Sequence, residues 1–229
     1  MKKRVVISLG GSQIFSNGEI NVSYLKKFRD LINKHRRNYN FVIVTGGGSI
    51  ARIYIEGLRK NGSGNKLQSF AGISVTRTNA RFLSYFFGRD VLEGIPHKIS
   101  DVQRLAGKKD IVFCGGLEYH ANQTSDSTAA QIAEKLNAEF INITNVDGLY
   151  NKNPKKSRDA KLISFISWKK FNEIASKIMF KPGQHFVLDQ RASKIIMDKK
   201  IKTYIVGPKI KELDELLKGK SFRGTVIYR

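Results

Sequence analysis

The sequence predicts an α/β fold: a three-layer αβα sandwich in which helices cover both faces of a central, largely parallel sheet. Three observations carry that expectation. Short apolar runs alternate with segments of helical period along nearly the whole chain. The runs are apolar throughout, as strands buried on both faces read. Three of them end in glycine clusters, and ligands of such sheets gather at the carboxyl ends of the strands.

Taken in order, residues 4–9 are the first strand, and Val22, Leu25, Phe28, Leu31 and Ile32 repeat at helical spacing. Residues 41–45 form a second strand, followed by a helix marked by Ile50, Ile53, Tyr54 and Leu58. Residues 72–87 are helix-like, with Ile73, Arg77, Ala80, Leu83 and Phe87 on one side. A buried strand spans 111–114. Ala129, Ile132, Ala133 and Leu136 make the next helical stripe, and 140–144 the strand after it. Trp168, Phe171, Ile174, Ala175 and Ile178 mark a helix. A further helix over 190–199, a strand over 203–206, a short helix near 213–217 and a last strand over 224–228 complete the chain.

Composition excludes some classes and leaves others open. Cys114 is the single cysteine, so no internal disulfide can form; a reducing compartment fits, and a cytoplasmic location is expected. The apolar run after Met1-Lys2-Lys3-Arg4 is cut by Gly10-Gly11, too short for a signal peptide, and no stretch reaches membrane-spanning length. With 41 Lys and Arg against 19 Asp and Glu the net charge is +22, a field that attracts phosphate groups. No run of five basic residues occurs, which favours a solvated basic surface, with nonspecific nucleic-acid affinity as the other reading. Phe86, Phe87, Phe165 and Phe171 fall in apolar-periodic segments and read as core.

The chemistry concentrates at strand ends. Gly10-Gly11-Ser12, Gly46-Gly47-Gly48-Ser49 and Gly115-Gly116 each follow an apolar strand. Glycine lets backbone approach a ligand closely, and a helix that follows offers free N–H groups to an anion. Three such turns at one sheet edge point to a polyphosphate. Gly219-Lys220-Ser221 looks like the end of a P-loop, but Asp214 stands where the upstream glycine is required. Gly46, Gly48 and Ala51 match a dinucleotide fingerprint, yet no acid lies between Glu56 and Asp90 to hold a ribose. Thr124-Ser125-Asp126 precedes a helix, where Asp126 reads either as a helix cap or as a site residue. Residues 144–150 and Asn153 add a polar set at the same edge. His35, His97, His120 and His185 lack metal-ligand spacing, so no metal site of protein ligands is expected; His120 alone lies in a loop near Asp126.

Together these residues resemble the amino-acid kinase family, and within it the archaeal-type UMP kinases. The likeness rests on Gly10-Gly11-Ser12, Gly46-Gly47-Gly48 with Ala51-Arg52, and Gly72-Ile73 with Thr76-Arg77 and Asn79-Ala80. It continues through Thr124 with Asp126 and is strongest over 143–150. The resemblance implies one kinase domain over 1–229, with an acceptor half near 1–126 and an ATP half near 127–229, acting as UMP + ATP to UDP + ADP with Mg²⁺. It implies that Gly10, Gly11 and Ser12 cradle the transferring phosphoryl group, that Gly48 and Arg52 serve the ATP phosphates, and that Asp126 organises the site. Thr144, Asn145, Tyr150 and Asn153 would hold the ATP nucleotide. Gly47, Ser69, His120, Asn122, Gln123, Thr124 and Ser125 would lie on the UMP side. It further implies a homohexamer.

Departures from the family pattern leave alternatives. Ser8 stands where relatives carry Lys or Asp, Ser69 near the acid that meets the ribose hydroxyls, Asn153 in place of an Asp, and residues 117–123 lack the family's Gly and Pro. A sister kinase with another phosphorylated acceptor, or a non-catalytic nucleotide-sensing or nucleic-acid-binding module, are the competing readings.

Overall fold

Successive residues of a strand point to opposite faces, so a strand buried at every position must be covered on both sides. Val5, Val6, Ile7 and Leu9 are all buried, and they divide between two separate hydrophobic clusters. The computed structural model, which describes residues 2–16, 18–89, 94–121, 123–154, 156–177 and 187–229, shows what does the covering.

The chain opens with β1 (Lys3–Leu9), one helical turn α1 (Gly11–Ile14), and a hairpin of β2 (Phe15–Ser16) and β3 (Glu19–Ile20). Then come α2 (Val22–His35), β4 (Tyr39–Thr45), α3 (Gly48–Lys60), α4 (Asn65–Phe86), α5 (Ile99–Ala106) and β5 (Ile111–Cys114). The second part runs α6 (Ser125–Leu136), β6 (Glu139–Ile143), β7 (Phe165–Ile166), α7 (Trp168–Ser176), α8 (Gln190–Asp198), β8 (Thr203–Val206), α9 (Ile210–Leu217) and β9 (Gly224–Ile227).

The main sheet has the order β5-β4-β1-β6-β8-β9-β7. Its first five strands are parallel; β9 runs antiparallel to β8, and β7 is parallel to β9. Helices α2, α4 and α9 pack on one face through Phe28, Leu83 and Leu213. On the other face α5, α6, α7 and α8 pack through Val102, Ile132, Phe171 and Ile196. The chain leaves β1 toward β4 and later returns to its other side as β6. The switch point of the sheet therefore lies beside the carboxyl end of β1, where ligands of such sheets bind.

Every strand expected from the sequence is present. The helix expected over 72–87 begins earlier, at Asn65, because Gly72 sits inside it; a helical glycine costs only about 1 kcal/mol relative to alanine. The hairpin, α1, α5 and β7 were not expected, being too short for periodicity to reveal. Four apolar residues read as packing positions are exposed: Val22 (44 %), Ile53 (65 %), Tyr54 (58 %) and Phe165 (57 %). Of α3 only Ala51 is fully buried, and Phe165 stands on an edge strand. Gly219, with φ +73°, ends α9 through bonds from Gly219 N to Leu216 O and Lys220 N to Glu215 O. That is a helix C-terminal cap and no phosphate loop. Ile178 lies outside the described residues.

Candidate active site

The ends of β1 and β4 are locked together by backbone alone. Gly46 N donates to Leu9 O (2.9 Å) and Gly10 N to Ile143 O (3.2 Å), so the ladder continues one step past the strands. A Cβ at Gly11 would lie 2.1 Å from the amide nitrogen of Gly48, and one at Gly46 would lie 2.7 Å from that of Gly11. Gly48 also holds φ +64°, where L side chains are strained. Helix α4 fixes this arrangement from behind. Thr45 Oγ1 donates to Thr76 O (2.7 Å), Asn79 Nδ2 to Gly46 O (2.8 Å), and Gly116 N to Thr76 Oγ1 (2.8 Å). Arg77 donates to the carbonyls of Gly116 (2.9 Å) and Leu117 (2.6 Å). α3 starts directly from this cradle with Gly47 at its N-cap and no side chain capping it. Its first-turn N–H groups are thus available to an anion, which the helix dipole also favours.

The cradle floors a cavity of about 300 Å³, at the low end of the range for small-molecule sites. Ser12 and Arg52 stand at its rim, both exposed. One wall is made by Ile55, Gln68, Ser69 and Ile73 of α3 and α4 together with Leu117, Glu118, Tyr119, His120 and Gln123 of the loop after β5. That loop packs on α4 through Tyr119 and Phe70, with ring centroids 5.3 Å apart. The opposite wall is made by Thr144 and Asn145 at the end of β6 and by residues 187–190 leading into α8. Buried Asn142 joins these two elements through a hydrogen bond from Nδ2 to Val187 O.

Two carboxylates approach each other here. The N-cap of α6 is Thr124, which forms a capping box with Ser127. Asp126 is therefore released from the capping role that the sequence left open. Its Oδ1 instead accepts from Ser8 Oγ at 2.7 Å. Asp189 caps α8 by accepting from Ala192 N (2.8 Å), and Thr124 Oγ1 donates to its other oxygen. Burial and the neighbouring Asp189 push the Asp126 carboxyl up to about 7, against the Ser8 hydrogen bond, which lowers it.

A model of the amino acid kinase family matches residues 3–207. The chain is 33 % identical to a uridylate kinase of Thermococcus kodakarensis over 226 residues, covering 98 % of this chain and 99 % of that one. A uridylate kinase of Archaeoglobus fulgidus is likewise 33 % identical over 225 residues. The crystal structure of uridylate kinase from Archaeoglobus fulgidus superposes with TM-score 0.83 at 34 % identity, covering 99 % of this chain and 100 % of that one.

The chain belongs to the amino acid kinase family.

Within this kinase fold, the cavity brings together most of the residues singled out from the sequence. Gly10, Gly11, Ser12, Gly47, Gly48 and Arg52 line its floor and rim. Ser69, His120, Gln123, Thr124, Ser125 and Asp126 line one side, and Thr144 and Asn145 the other. Tyr150 and Asn153 do not line it. Tyr150 bridges to Leu162, and the Asn153 carbonyl accepts from Lys156 N and Ser157 N. Asn122 lies outside the described residues. Sequence reasoning missed Asp189 and Gln68 as lining residues. Asp189 had a signal, an acid placed just before the periodic segment at 190–199, whereas Gln68 sits in the helical turns before Gly72 that were not read as helix.

Such an arrangement suits phosphoryl transfer between two anions. The backbone N–H groups of the cradle and Arg52 at the rim offer positive potential to an anion in the cavity, and phosphoryl transfer needs no strong general base.

Proposed function

We infer that the protein is a UMP kinase, transferring the γ-phosphoryl group of ATP to the phosphate of UMP to give UDP and ADP. The observation that carries this reading is full-length similarity to uridylate kinases, at one third identity over 98 % of the chain. The backbone cradle lining the cavity supports it, because an in-line transfer needs its donor and acceptor phosphates held together. In this reading residues 1–126 carry the acceptor and 127–229 the ATP. UMP lies along Ser69, His120, Asn122, Gln123, Thr124 and Ser125, with its phosphate near Gly47. ATP lies along Thr144 and Asn145, with Tyr150 and Asn153 farther out, and its phosphates over Gly11, Ser12, Gly48 and Arg52.

Mg²⁺ fits this donor set in one way. Among the described residues no group of three or more His, Cys, Asp or Glu could hold a metal. Mg²⁺ is commonly bound by one or two carboxylates plus substrate phosphates, and Asp126 with Asp189 supplies two. The ion would neutralise phosphate charge, with Asp126 and Asp189 orienting it directly or through water. Coupled turnover with ATP, Mg²⁺ and a panel of phosphorylated acceptors tests the reading. UMP is expected to be the best acceptor; a folded protein that makes no diphosphate from UMP but phosphorylates another acceptor overturns it.

The protein also works as a homo-oligomer, a hexamer in this reading, in the cytoplasm. The exposed Ile53, Tyr54, Leu67 and Phe70 of α3 and α4 offer an apolar surface for a second copy. Light scattering that returns a monomer at micromolar concentration and physiological salt would count against it.

A further inference from the structure

The excess positive charge is not at the cavity. Among the residues lining that cavity Arg52 stands against Glu118, Asp126 and Asp189, so the surplus of a chain of net charge +22 lies elsewhere. A basic row lies at the opposite edge of the sheet, where the parallel strands begin. Arg36-Arg37, Lys108-Lys109 and Lys199-Lys200, all exposed, lead into β4, β5 and β8. Lys2, Lys3 and Arg4, also exposed, open β1. Because β9 runs antiparallel to β8, its last residues, Tyr228-Arg229, come to this same edge.

Side-chain contacts make the edge continuous. Lys2 pairs with Asp110 (2.9 Å) and Lys3 with Glu139 (3.0 Å). Lys202 lies 3.9 Å from the same Glu139, and its ammonium stands 5.5 Å from the centroid of Tyr228. Beyond Tyr228 the edge turns aromatic. Tyr228 meets Trp168 edge-on at 5.3 Å. Phe165, 57 % exposed, pairs in register with Val226, and Val226 shares a sheet face with Tyr228.

We propose that this strand-opening edge binds single-stranded nucleic acid, with phosphates along the basic row and unpaired bases against Phe165 and Tyr228. A basic track combined with aromatic faces is what a single strand recognises, since every base has a face to stack. The strands from β5 to β9 lie about 4.8 Å apart, so the row is long enough for several nucleotides. β1 has seven residues, about 23 Å of strand, which separates the edge from the kinase cavity.

Fluorescence anisotropy of a labelled mixed-sequence single-stranded RNA, titrated with the full chain over a range of salt, tests this. The expected result is binding whose logarithm falls linearly with the logarithm of salt. Combining Arg36→Glu, Arg37→Glu, Lys108→Glu and Lys109→Glu should weaken it by about 10-fold or more, with UMP turnover within about twofold of the parent. Phe165→Ala with Tyr228→Ala should weaken it by roughly fivefold or more. If the charge reversal fails to fold, glutamine at the same four positions carries the test, with retained turnover as proof of folding. The proposal is overturned if a folded, active charge variant or the aromatic variant binds RNA as tightly as the parent. It is also overturned if saturating UMP and ATP displace the RNA, which would put it in the cavity. Tighter binding of phosphatidylserine-containing vesicles than of RNA at equal salt would make the edge a membrane surface instead.

Discussion

The glycine cradle and the wall proposed to hold the acceptor border one cavity, yet they are made of different material. The cradle is main chain: Gly11 and Gly48 approach so closely that no Cβ fits between them, and three hydrogen bonds through Thr76 and Asn79 of α4 hold it from behind. The wall is side chain: Gln68, Ser69, His120 and Gln123 project from a helix and a loop. A site built from backbone has few workable sequences, because few residues lack a side chain. One built from side chains can be redrawn without disturbing the fold. Substitutions in the cradle should therefore cost most, and those in the wall should change preference rather than rate.

The largest effect is expected at Gly11. In Gly11→Ala the added methyl meets backbone of α3 at 2.1 Å, and backbone cannot swing aside as a flexible side chain can. Overpacking costs about 1–3 kcal/mol or more in stability, and displaced N–H groups forfeit their geometry for the phosphates. Turnover should fall by roughly 10³-fold, about 4 kcal/mol, with a lowered melting temperature. Gly18→Ala is the control. Its φ is positive (+84°), but nothing lies within 4 Å of its Cβ, so a loss of only about 1–2 kcal/mol of stability and unchanged turnover are expected. A folded Gly11→Ala enzyme with parental turnover would show that the interlock does not position the phosphates.

Asp126→Asn comes next, with turnover reduced roughly 10²-fold, about 2.7 kcal/mol. Since Thr124 already caps α6, and an asparagine oxygen can still accept from Ser8, the substitution isolates the charge. The pH dependence sharpens this. The folded carboxyl titrates near 7, above the ordinary 3.8. Between those values the unfolded chain releases its proton while the folded chain keeps it, so this group's stabilisation falls as pH rises and is gone above about 7. Asparagine does not ionise, so the variant should melt higher than the parent by more at about pH 8 than at about pH 5. In the parent, kcat/KM should rise as pH climbs through about 7, and the variant should lack that limb. Equal pH profiles for the two would remove Asp126 from the titrating role.

Arg52→Ala is expected to lower kcat/KM by about 10-fold, near 1.4 kcal/mol. Arg52 is exposed at the cavity rim, so the melting temperature should hold. Parental kinetics would leave the cradle as a purely main-chain device.

The same contrast explains what could be read from the sequence. The sheet, its order of strands and helices and the cradle were legible, because buried parallel strands must be apolar throughout and close backbone contacts must be glycine. Asp126 was legible as a candidate, but not its release from capping, since the choice of Thr124 as cap is a matter of local backbone geometry. Asp189 was visible only as an acid ahead of the periodic segment at 190–199, with nothing in the sequence to say that packing brings it to the cavity, and Gln68 lies in the helical turns before Gly72, which carried no distinctive pattern. Phe165 was misread because an apolar residue in a short apolar run looks the same on an edge strand as in a core. Tyr150 and Asn153 lie off the cavity, where the loop after β6 carries them outward.

The smallest effect, and the one that bears most directly on the wall, is expected at Ser69. Its hydroxyl donates to Asn65 O one turn back in α4 at 2.8 Å, which leaves the oxygen only as an acceptor toward the cavity. A neutral hydroxyl already engaged in its own helix contributes at most about 0.5–1.5 kcal/mol through one further hydrogen bond. Ser69→Ala should therefore raise KM for UMP by less than about threefold and leave kcat unchanged. Ser69→Asp is the informative partner, because a carboxylate accepts from sugar hydroxyls about twice as strongly as a neutral group does. It should lower KM for UMP by several-fold while leaving the 2′-deoxy analogue less affected. If Ser69→Ala instead raises KM by about 10-fold or more, the serine itself grips the acceptor. The wall would then be as tightly specified as the cradle, and the contrast between backbone and side-chain construction would no longer predict where this enzyme tolerates change.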